Sequence, residues 1–141
     1  MHAALDAARQ AETIGEVPIG CVVVQDNKII ATAHNHPINL CDPSGHAEIL
    51  ALRTAAKKTN NYRLIHCTVY VTLEPCMMCF GALNLSRIKR LVYGASDQQI
   101  GWHSQNKLNQ LTELNHSFEI TQNIAEQPCQ QIIKKFFQNR R

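Results

Sequence analysis

Two cysteines stand three residues apart behind a proline in the stretch "EPCMMC". If a helix begins here, Cys76 and Cys79 occupy positions i and i+3 of its first turn, so both thiols lie on one face and can reach the same point. Pro75 suits such a start because it has no backbone N–H to leave unpaired. The positive end of a helix dipole lowers the pKa of a thiol and favours the thiolate, which is the form that binds metal. The pair is therefore predicted to supply two sulfur ligands to a metal ion.

A nitrogen ligand and a carboxylate stand upstream, in the stretch "SGHAEIL". His46 and Glu48 are two residues apart, so inside a helix they would point to different sides. If the site lies off the amino end of the helix, however, His46 at the cap and Glu48 in the first turn converge on it. His46, Cys76 and Cys79 would then bind one zinc ion and leave its fourth position open, as in a catalytic rather than a structural site.

The open zinc position gives Glu48 a chemical role. Zinc lowers the pKa of a bound water to about 7, so a nucleophile is available at neutral pH, and a nearby carboxylate can carry protons between this water and a substrate. Glu48 is therefore predicted to be the catalytic residue and to stay outside the ligand set. The alternative is a closed structural zinc with a fourth ligand from Cys41, Cys67 or Cys129, although these cysteines sit in apolar patterns or in a loop.

Hydrophobic periodicity indicates the elements that must position these residues. An amphipathic helix and a β-hairpin turning at Asp26-Asn27 come first, and helices alternating with strands follow. This order predicts an α/β fold with three layers, α/β/α, around one mixed five-stranded sheet. Both candidate motifs stand at helix starts, where such sheets bind ligands. The predicted ranges are helices at 3–14, 46–58, 76–85 and 126–140, strands within 17–35 and at 67–72, 90–95 and 117–121, and loops at 36–45 and 96–116.

Length and composition limit the class of protein. A chain of 141 residues with 45% hydrophobic residues suits one globular core, so we expect a single domain over 1–141. No long apolar run or export signal is visible, and the 6 cysteines are then metal ligands or small buried residues of a cytoplasmic protein rather than a disulfide framework. The net charge of +3 comes from the terminal stretch "KKFFQNRR", which contains four basic residues and no acidic one.

The motif pair, His-Ala-Glu followed after residues 49–74 by Pro-Cys-x-x-Cys, resembles the signature of the zinc-dependent cytidine and adenosine deaminase superfamily. Longer stretches, "EVPIGCVVV", "HNHP", "NYRLIHCTVYVTLEPCMMCFGAL" and "SRIKRLVYGASD", are similar to the family of bacterial tRNA-specific adenosine deaminases. This resemblance covers nearly the whole chain. It implies a cytidine-deaminase-like fold, one zinc per subunit, a homodimer, and hydrolysis of adenosine to inosine at the wobble position of a tRNA anticodon.

The resemblance also implies substrate contacts. Asn35 matches an asparagine that binds the flipped nucleoside, although a turn before His36-Pro37 would also favour an asparagine here. Asp97 is a further expected substrate contact, and the backbone N–H of Ala47 can donate from a helix start. Phe137 could stack on a base and Arg140 could contact a phosphate. Each of the last two has a structural alternative, because the terminal helix repeats apolar residues on one face and a basic last turn stabilises a helix dipole. Lys134, Lys135 and Arg141 share this ambiguity.

Two other functions fit the same residues. A deaminase of a free base or nucleoside, such as guanine or cytosine, would use the same zinc chemistry but would leave the basic carboxyl-terminal stretch without a role. A tRNA-binding subunit without catalysis would have no need of Glu48. The helix predicted over 76–85 is apolar nearly all round, with Met77, Met78, Phe80, Leu83 and Leu85, so it is the expected dimer surface.

Overall fold

The structure, a computed structural model, describes residues 1–102, 104 and 115–140. It confirms the predicted three-layer α/β/α arrangement around a mixed five-stranded sheet. The elements are α1 (His2–Thr13), β1 (Gly20–Gln25), β2 (Lys28–His34), α2 (Pro37–Leu40), α3 (Ala47–Thr59), β3 (Thr68–Leu73), α4 (Met77–Leu85), β4 (Arg90–Ala95), β5 (Glu119–Thr121) and α5 (Glu126–Gln138).

The sheet has the strand order β2-β1-β3-β4-β5. Strand β1 pairs antiparallel with both β2 and β3, whereas β3, β4 and β5 run parallel. The hairpin turns at Asp26 and Asn27, whose φ angles of 49° and 60° suit the two-residue turn that matches the twist of the strands. Because β3 and β4 are parallel, their carboxyl ends meet at one edge of the sheet, and the segments that follow them lie side by side.

Two apolar cores hold the helices against the sheet. Helices α3 and α4 share the larger core with the strands, around Ala51, Val71 and Leu83. Helices α1 and α5 cover the other face, where Leu5 and Cys129 pack beside Ala95. The contact of α1 with the sheet is unusually close at Gly20, because a β-carbon there would lie 2.0 Å from the carbonyl oxygen of Ala4.

The structure differs from the predicted ranges mainly in the connections. The loop predicted at 36–45 contains the short helix α2, which is fixed by a distant residue: the buried carboxylate of Glu16 accepts hydrogen bonds from the Asn39 N–H and the Asn39 side-chain amide, both at 2.8 Å. Strand β5 is shorter than predicted, and α5 ends two residues before the predicted boundary at 140. Most of the predicted loop at 96–116, and Arg141 at the terminus, lie outside the described residues.

Within the described part of the chain, every helix is too short or too polar to span a bilayer.

Candidate active site

The predicted metal ligands meet where two helices begin. His46 is the residue that caps α3 and Cys76 is the residue that caps α4, so Pro75 lies one position before the cap rather than in the first turn. Both cap residues have extended backbone angles, and neither side chain makes a capping hydrogen bond. Cys79 lies one turn into α4 and is fully buried. This arrangement leaves the three side chains free to point towards one another beyond the helix ends.

The distances between the three donor atoms fit a tetrahedral metal site. Nδ1 of His46 lies 3.7 Å from Sγ of Cys76 and 3.4 Å from Sγ of Cys79. A zinc ion with Zn–S bonds of about 2.3 Å and Zn–N bonds of about 2.0 Å separates its ligands by roughly 3.5 Å, so the three atoms could hold one ion with little movement. Nδ1 is then the donor atom of His46.

Among the described residues, the cluster consists of His46, Cys76 and Cys79, with no fourth histidine, cysteine or acidic ligand. Cys41 is exposed on the turn after α2, whereas Cys67 and Cys129 are buried elsewhere in the two apolar cores. The closed structural site that the sequence left open is therefore without support from the geometry. A nitrogen and two sulfur donors with an open fourth position match the catalytic form of a zinc site.

Hydrogen bonding within the cluster changes the pKa of each of its three side chains. The hydrogen bond from Cys79 lowers the pKa of the Cys76 thiol to about 4, so this group is a thiolate at neutral pH. The same interaction, together with burial, raises the pKa of Cys79, and the hydrogen bond with Cys76 raises the pKa of His46. In the metal-free site, protons therefore occupy positions that a metal ion would take.

Glu48 lies beside the cluster but outside it, as the sequence predicted for a proton carrier. The residue is in the first turn of α3 and only 4% exposed. Burial raises the pKa of its carboxyl group from an ordinary 4.5 to about 7. A group with this pKa can both accept and release a proton near neutral pH, which general acid–base chemistry requires.

Asn35 and Ala47, the two predicted substrate-binding groups near the cluster, are bonded to each other. The Ala47 N–H donates to Oδ1 of Asn35 at 2.9 Å, and the loop between them is closed by a hydrogen bond from the His36 N–H to the Gly45 carbonyl at 2.9 Å. The Ala47 N–H thus has an acceptor within the protein. Asn35 is 5% exposed and lines the cleft that leads to His46, so its remaining amide group is the part available to a ligand.

A cleft of about 650 Å³ opens from His46 to the surface. One wall is formed by the end of β4 at Ala95 and the segment 96–100 after it, which includes Asp97. The opposite wall is α5, with Ile133, Lys134 and Phe137. The cleft is large enough for a nucleoside.

The two phenylalanines of α5 have different environments. Phe136 is buried, whereas Phe137 is 50% exposed and lies on the cleft wall. The guanidinium group of Arg140 lies 4.2 Å from the centre of the Phe136 ring, and its Nη2 donates to the Gly15 carbonyl at 2.6 Å. Arg140 therefore has an internal role that the sequence did not indicate: it fastens the end of α5 to the turn after α1.

Asp97 also has an internal role. Its Oδ1 accepts hydrogen bonds from the N–H groups of Gln99 at 2.8 Å and Ile100 at 3.1 Å, and so shapes the turn that forms the cleft wall. The sequence did not point to Glu74, whose buried carboxylate accepts a hydrogen bond from the Asp97 N–H and so stabilises this wall. A charged residue at the end of the apolar strand "TVYVTL", directly before Pro75, was the available signal.

An α/β/α fold that brings a nitrogen and two sulfur donors beside a buried carboxylate defines a deaminase of the cytidine-deaminase-like class. A family model describing MafB19-like deaminases matches residues 1–141. The tRNA-specific adenosine deaminase of Haemophilus influenzae is 48% identical over 143 aligned positions, which cover 100% of this chain and 83% of that protein. The chain belongs to the MafB19-like deaminases and, within them, to the family of tRNA-specific adenosine deaminases.

Solved structures give the same assignment. A structure from work on A-to-I editing by tRNA:A34 deaminases at the wobble position of transfer RNA superposes with a TM-score of 0.89 and 38% identity, over 94% of this chain and 96% of that one. A guanine deaminase from Bacillus subtilis superposes with a TM-score of 0.65 and 33% identity, over 76% of this chain and 66% of that one. The fold is thus shared by deaminases with different substrates, and the site must distinguish between them.

Proposed function

We propose that this protein is a hydrolase that converts adenosine to inosine at the wobble position of a tRNA anticodon and releases ammonia. The observation that carries this proposal is the cluster of His46, Cys76 and Cys79 beside the buried carboxyl of Glu48, with His46 lining a cleft. Relatives similar over the whole chain bear the name of this activity.

The cluster would hold one Zn²⁺ per subunit, and the metal would supply a water that is readily deprotonated at neutral pH. Glu48 takes one proton from the attacking water and delivers it to N1 of the purine, and it then takes the second proton from the oxygen bonded to C6 and delivers it to the departing amine. The water oxygen forms the new bond to C6, the bond from C6 to the exocyclic nitrogen breaks, and ammonia leaves. Adenosine and water are thereby converted to inosine and ammonia, with every proton accounted for.

Asn35 and the cleft walls position the nucleoside. Because Ala47 fixes Oδ1 of Asn35, the side-chain amide is held in one orientation and can donate to the flipped base. Asp97 contributes a contact from the opposite wall, through the part of its carboxylate not used in the turn. A wobble nucleotide lies unpaired in the anticodon loop, so its extrusion into the cleft costs less than flipping a base out of a duplex.

Phe137 and Lys134 line the cleft wall on α5, where they could meet the nucleotides beside the target. An exposed aromatic ring can stack on a base, and a lysine can pair with a phosphate. Arg140 supports this surface by anchoring the end of α5, although its other N–H groups could also reach the RNA backbone.

We further propose that the protein is a cytoplasmic homodimer with one deaminase domain over 1–141. Met77, Met78 and Leu85 on α4 are 62%, 40% and 74% exposed, and Leu85 also lines an apolar groove of about 520 Å³ between α3 and α4. Exposed apolar side chains on one helix favour a protein partner, and a second copy would cover the same surface on both chains.

The test of the activity is to incubate the zinc-loaded protein with an unmodified tRNA that carries adenosine at the wobble position, and to quantify inosine in the digested RNA by mass spectrometry. Free adenosine, cytidine and guanine serve as parallel substrates. We expect inosine from the tRNA and little product from the free compounds. Ammonia from a free base without inosine in the tRNA would instead assign the cleft to a small-molecule substrate.

A further inference from the structure

A second buried carboxylate, separate from Glu48, lies directly before the first cysteine of the metal cluster. Glu74 follows β3, stands two residues before Cys76, and is only 3% exposed. It is not one of the residues that form the cluster. A carboxylate removed from water is strongly destabilising unless hydrogen-bond donors surround its oxygens, so the donors around Glu74 indicate what it does.

Among the described residues, the side-chain hydrogen bonds of Glu74 come from two residues of one segment, which comprises 97–102 and 104. Its Oε2 accepts from the Asp97 N–H at 2.9 Å and also from the Ser104 hydroxyl. Its Oε1 accepts from the Ser104 N–H at 2.6 Å. The two oxygens of one carboxylate therefore hold both ends of this segment.

The middle of the segment packs directly on the same strand end. A β-carbon at Gly101 would lie 2.5 Å from Cδ and 2.6 Å from Oε1 of Glu74, so only glycine permits this approach. The Trp102 N–H donates to the Pro75 carbonyl at 3.0 Å, and Gly101 pairs with Cys76 in an isolated β-bridge. The segment is thus joined to the residues that carry the first metal ligand.

The opposite side of the same segment faces the substrate cleft. Asp97 and the adjoining residues through Ile100 line the cleft on the wall opposite α5. Glu74 consequently connects two parts of the site: the helix start that presents Cys76 and the wall that a nucleotide would touch.

We propose that Glu74 is a positioning residue for the RNA substrate. Its carboxylate holds the cleft wall against the Cys76 cap, so that the wall is already ordered when the nucleotide enters. A pre-ordered wall spares the substrate the cost of ordering it on binding. This inference rests on the proposed deamination of tRNA, and it adds a residue that touches neither the metal nor the substrate.

The role requires a carboxylate and not merely a polar group. Glutamate offers acceptors on both oxygens, whereas glutamine offers one acceptor oxygen and a donor amide. In Glu74→Gln, the amide would face the N–H of either Asp97 or Ser104, and one end of the segment would lose its acceptor. The zinc ligands and Glu48 would keep their own contacts.

The experiment measures steady-state kinetics of the zinc-loaded wild type, Glu74→Gln and the matched control Glu119→Gln on an anticodon stem-loop with wobble adenosine. Glu119 is exposed on β5 and undergoes the same chemical change. For Glu74→Gln we expect KM to rise about tenfold while kcat stays within about threefold, which is the effect of one lost buried hydrogen bond on binding. The zinc content should stay at the wild-type level.

A second variant tests the contact from the other end, in case Glu74→Gln does not fold. Ser104→Ala removes the hydroxyl donor without altering the carboxylate, and it should raise KM by a smaller factor. In the double variant the two effects should be less than additive, because they act on one network. Additive effects would contradict the proposed coupling.

Other outcomes separate this inference from the proposed function. The positioning role would be refuted if KM were unchanged in both variants, or if the variants lost zinc and kcat fell. In either case the proposed deamination of tRNA by the wild type would still stand. An inactive wild type on the stem-loop would instead refute the proposed function itself. RNA affinity measured by fluorescence anisotropy in the Glu48→Gln background should weaken by the same factor as KM, without any turnover.

Discussion

At Glu48, burial changes the chemistry of an ordinary side chain. An exposed glutamate would be ionised at neutral pH and would accept protons poorly, whereas the pKa of this carboxyl is raised to about 7. The neighbouring His46, Cys76 and Cys79 provide nitrogen and sulfur donors, which suit zinc and leave the carboxylate free. The proposed proton carrier and the proposed metal ligands therefore differ in chemical type as well as in position.

Replacing Glu48 by glutamine removes the proton carrier but keeps the shape of the side chain. We expect kcat on the tRNA to fall by about 10³-fold or more, because a positioned acid–base group contributes on this order. Zinc content, measured by atomic emission, should remain at the wild-type level, as Glu48 is not a ligand. Glu119→Gln is the matched control and should retain full activity. Normal turnover in Glu48→Gln would refute the assigned role.

Zinc binding should strengthen as the pH rises. In the metal-free protein the raised pKa values of Cys79 and His46 keep protons on groups that must lose them when a metal binds. Each displaced proton makes the apparent dissociation constant change by up to about tenfold per pH unit, with weaker binding at lower pH. Competition with a chelator at several pH values around neutrality measures how the apparent dissociation constant for zinc changes with pH.

A matched cysteine variant keeps the zinc experiment specific. Cys41→Ser changes an exposed cysteine outside the cluster, so its zinc affinity and pH slope should equal those of the wild type. Cys79→Ser should bind zinc much more weakly. A zinc affinity that did not vary with pH would contradict the protonated state assigned to the free site.

At the scale of elements, helix starts and helix ends carry the site. The amino ends of α3 and α4 present His46 and Cys76, and the parallel pairing of β3 with β4 places the cleft wall beside them. The carboxyl end of α5 forms the other wall and is fastened by Arg140 to the turn after α1. Each of these parts of the site lies at the end of a helix or strand, where backbone groups have no hydrogen-bond partner within that element.

Substitutions of the two phenylalanines of α5 should have different effects, one on RNA binding and the other on stability. Phe137→Leu removes an exposed ring from the cleft wall, so affinity for the anticodon stem-loop should fall by about tenfold, in keeping with the loss of one stacked base. Thermal stability should be unchanged because Phe137 is half exposed.

Phe136→Leu is the matched comparison on the same helix. It shrinks a buried side chain and removes the ring beneath Arg140, so the free energy of unfolding should fall by about 1–2 kcal/mol. Melting curves and fluorescence anisotropy distinguish the two effects. Equal RNA affinity in Phe137→Leu and the wild type would restrict Phe137 to packing.

At the scale of the whole molecule, one surface is less well covered than the rest. The larger apolar core buries Leu83 and the side of α4 that faces it, yet Met77, Met78 and Leu85 remain in contact with solvent. The sequence predicted a helix that must be covered on several sides, and a single chain covers only part of it. The proposed dimer would complete the coverage.

A charge placed on this surface should prevent association. We expect Leu85→Glu to shift the protein from dimer to monomer in light scattering at micromolar concentration, because a buried unpaired charge disfavours the interface. Ile29→Glu is the matched control on β2, where a side chain of 50% exposure lies apart from α4. A monomeric wild type would argue against the homodimer, whereas a dimer that persists in Leu85→Glu would place the interface elsewhere.

The sequence by itself determined the order of elements and was sufficient to predict the three candidate metal ligands. The spacing of Cys76 and Cys79 fits one helical turn, and the donor chemistry of histidine and cysteine needs no knowledge of distant contacts. Alternating periodicities indicated the helices and strands, and their order permitted the parallel pairing of the last three strands. These features are local in the chain, so a local pattern was sufficient to predict them.

Only the tertiary structure decided which polar groups already have a hydrogen-bond partner within the protein. The Ala47 N–H is bonded to Asn35, Glu16 builds the short helix α2, and Glu74 holds the cleft wall from a distant strand end. Helical periodicity placed both phenylalanines of α5 on one face but could not tell which of them is buried. Each of these outcomes depends on contacts between segments far apart in sequence, and a local pattern carries no information about the partner that the folded chain brings near.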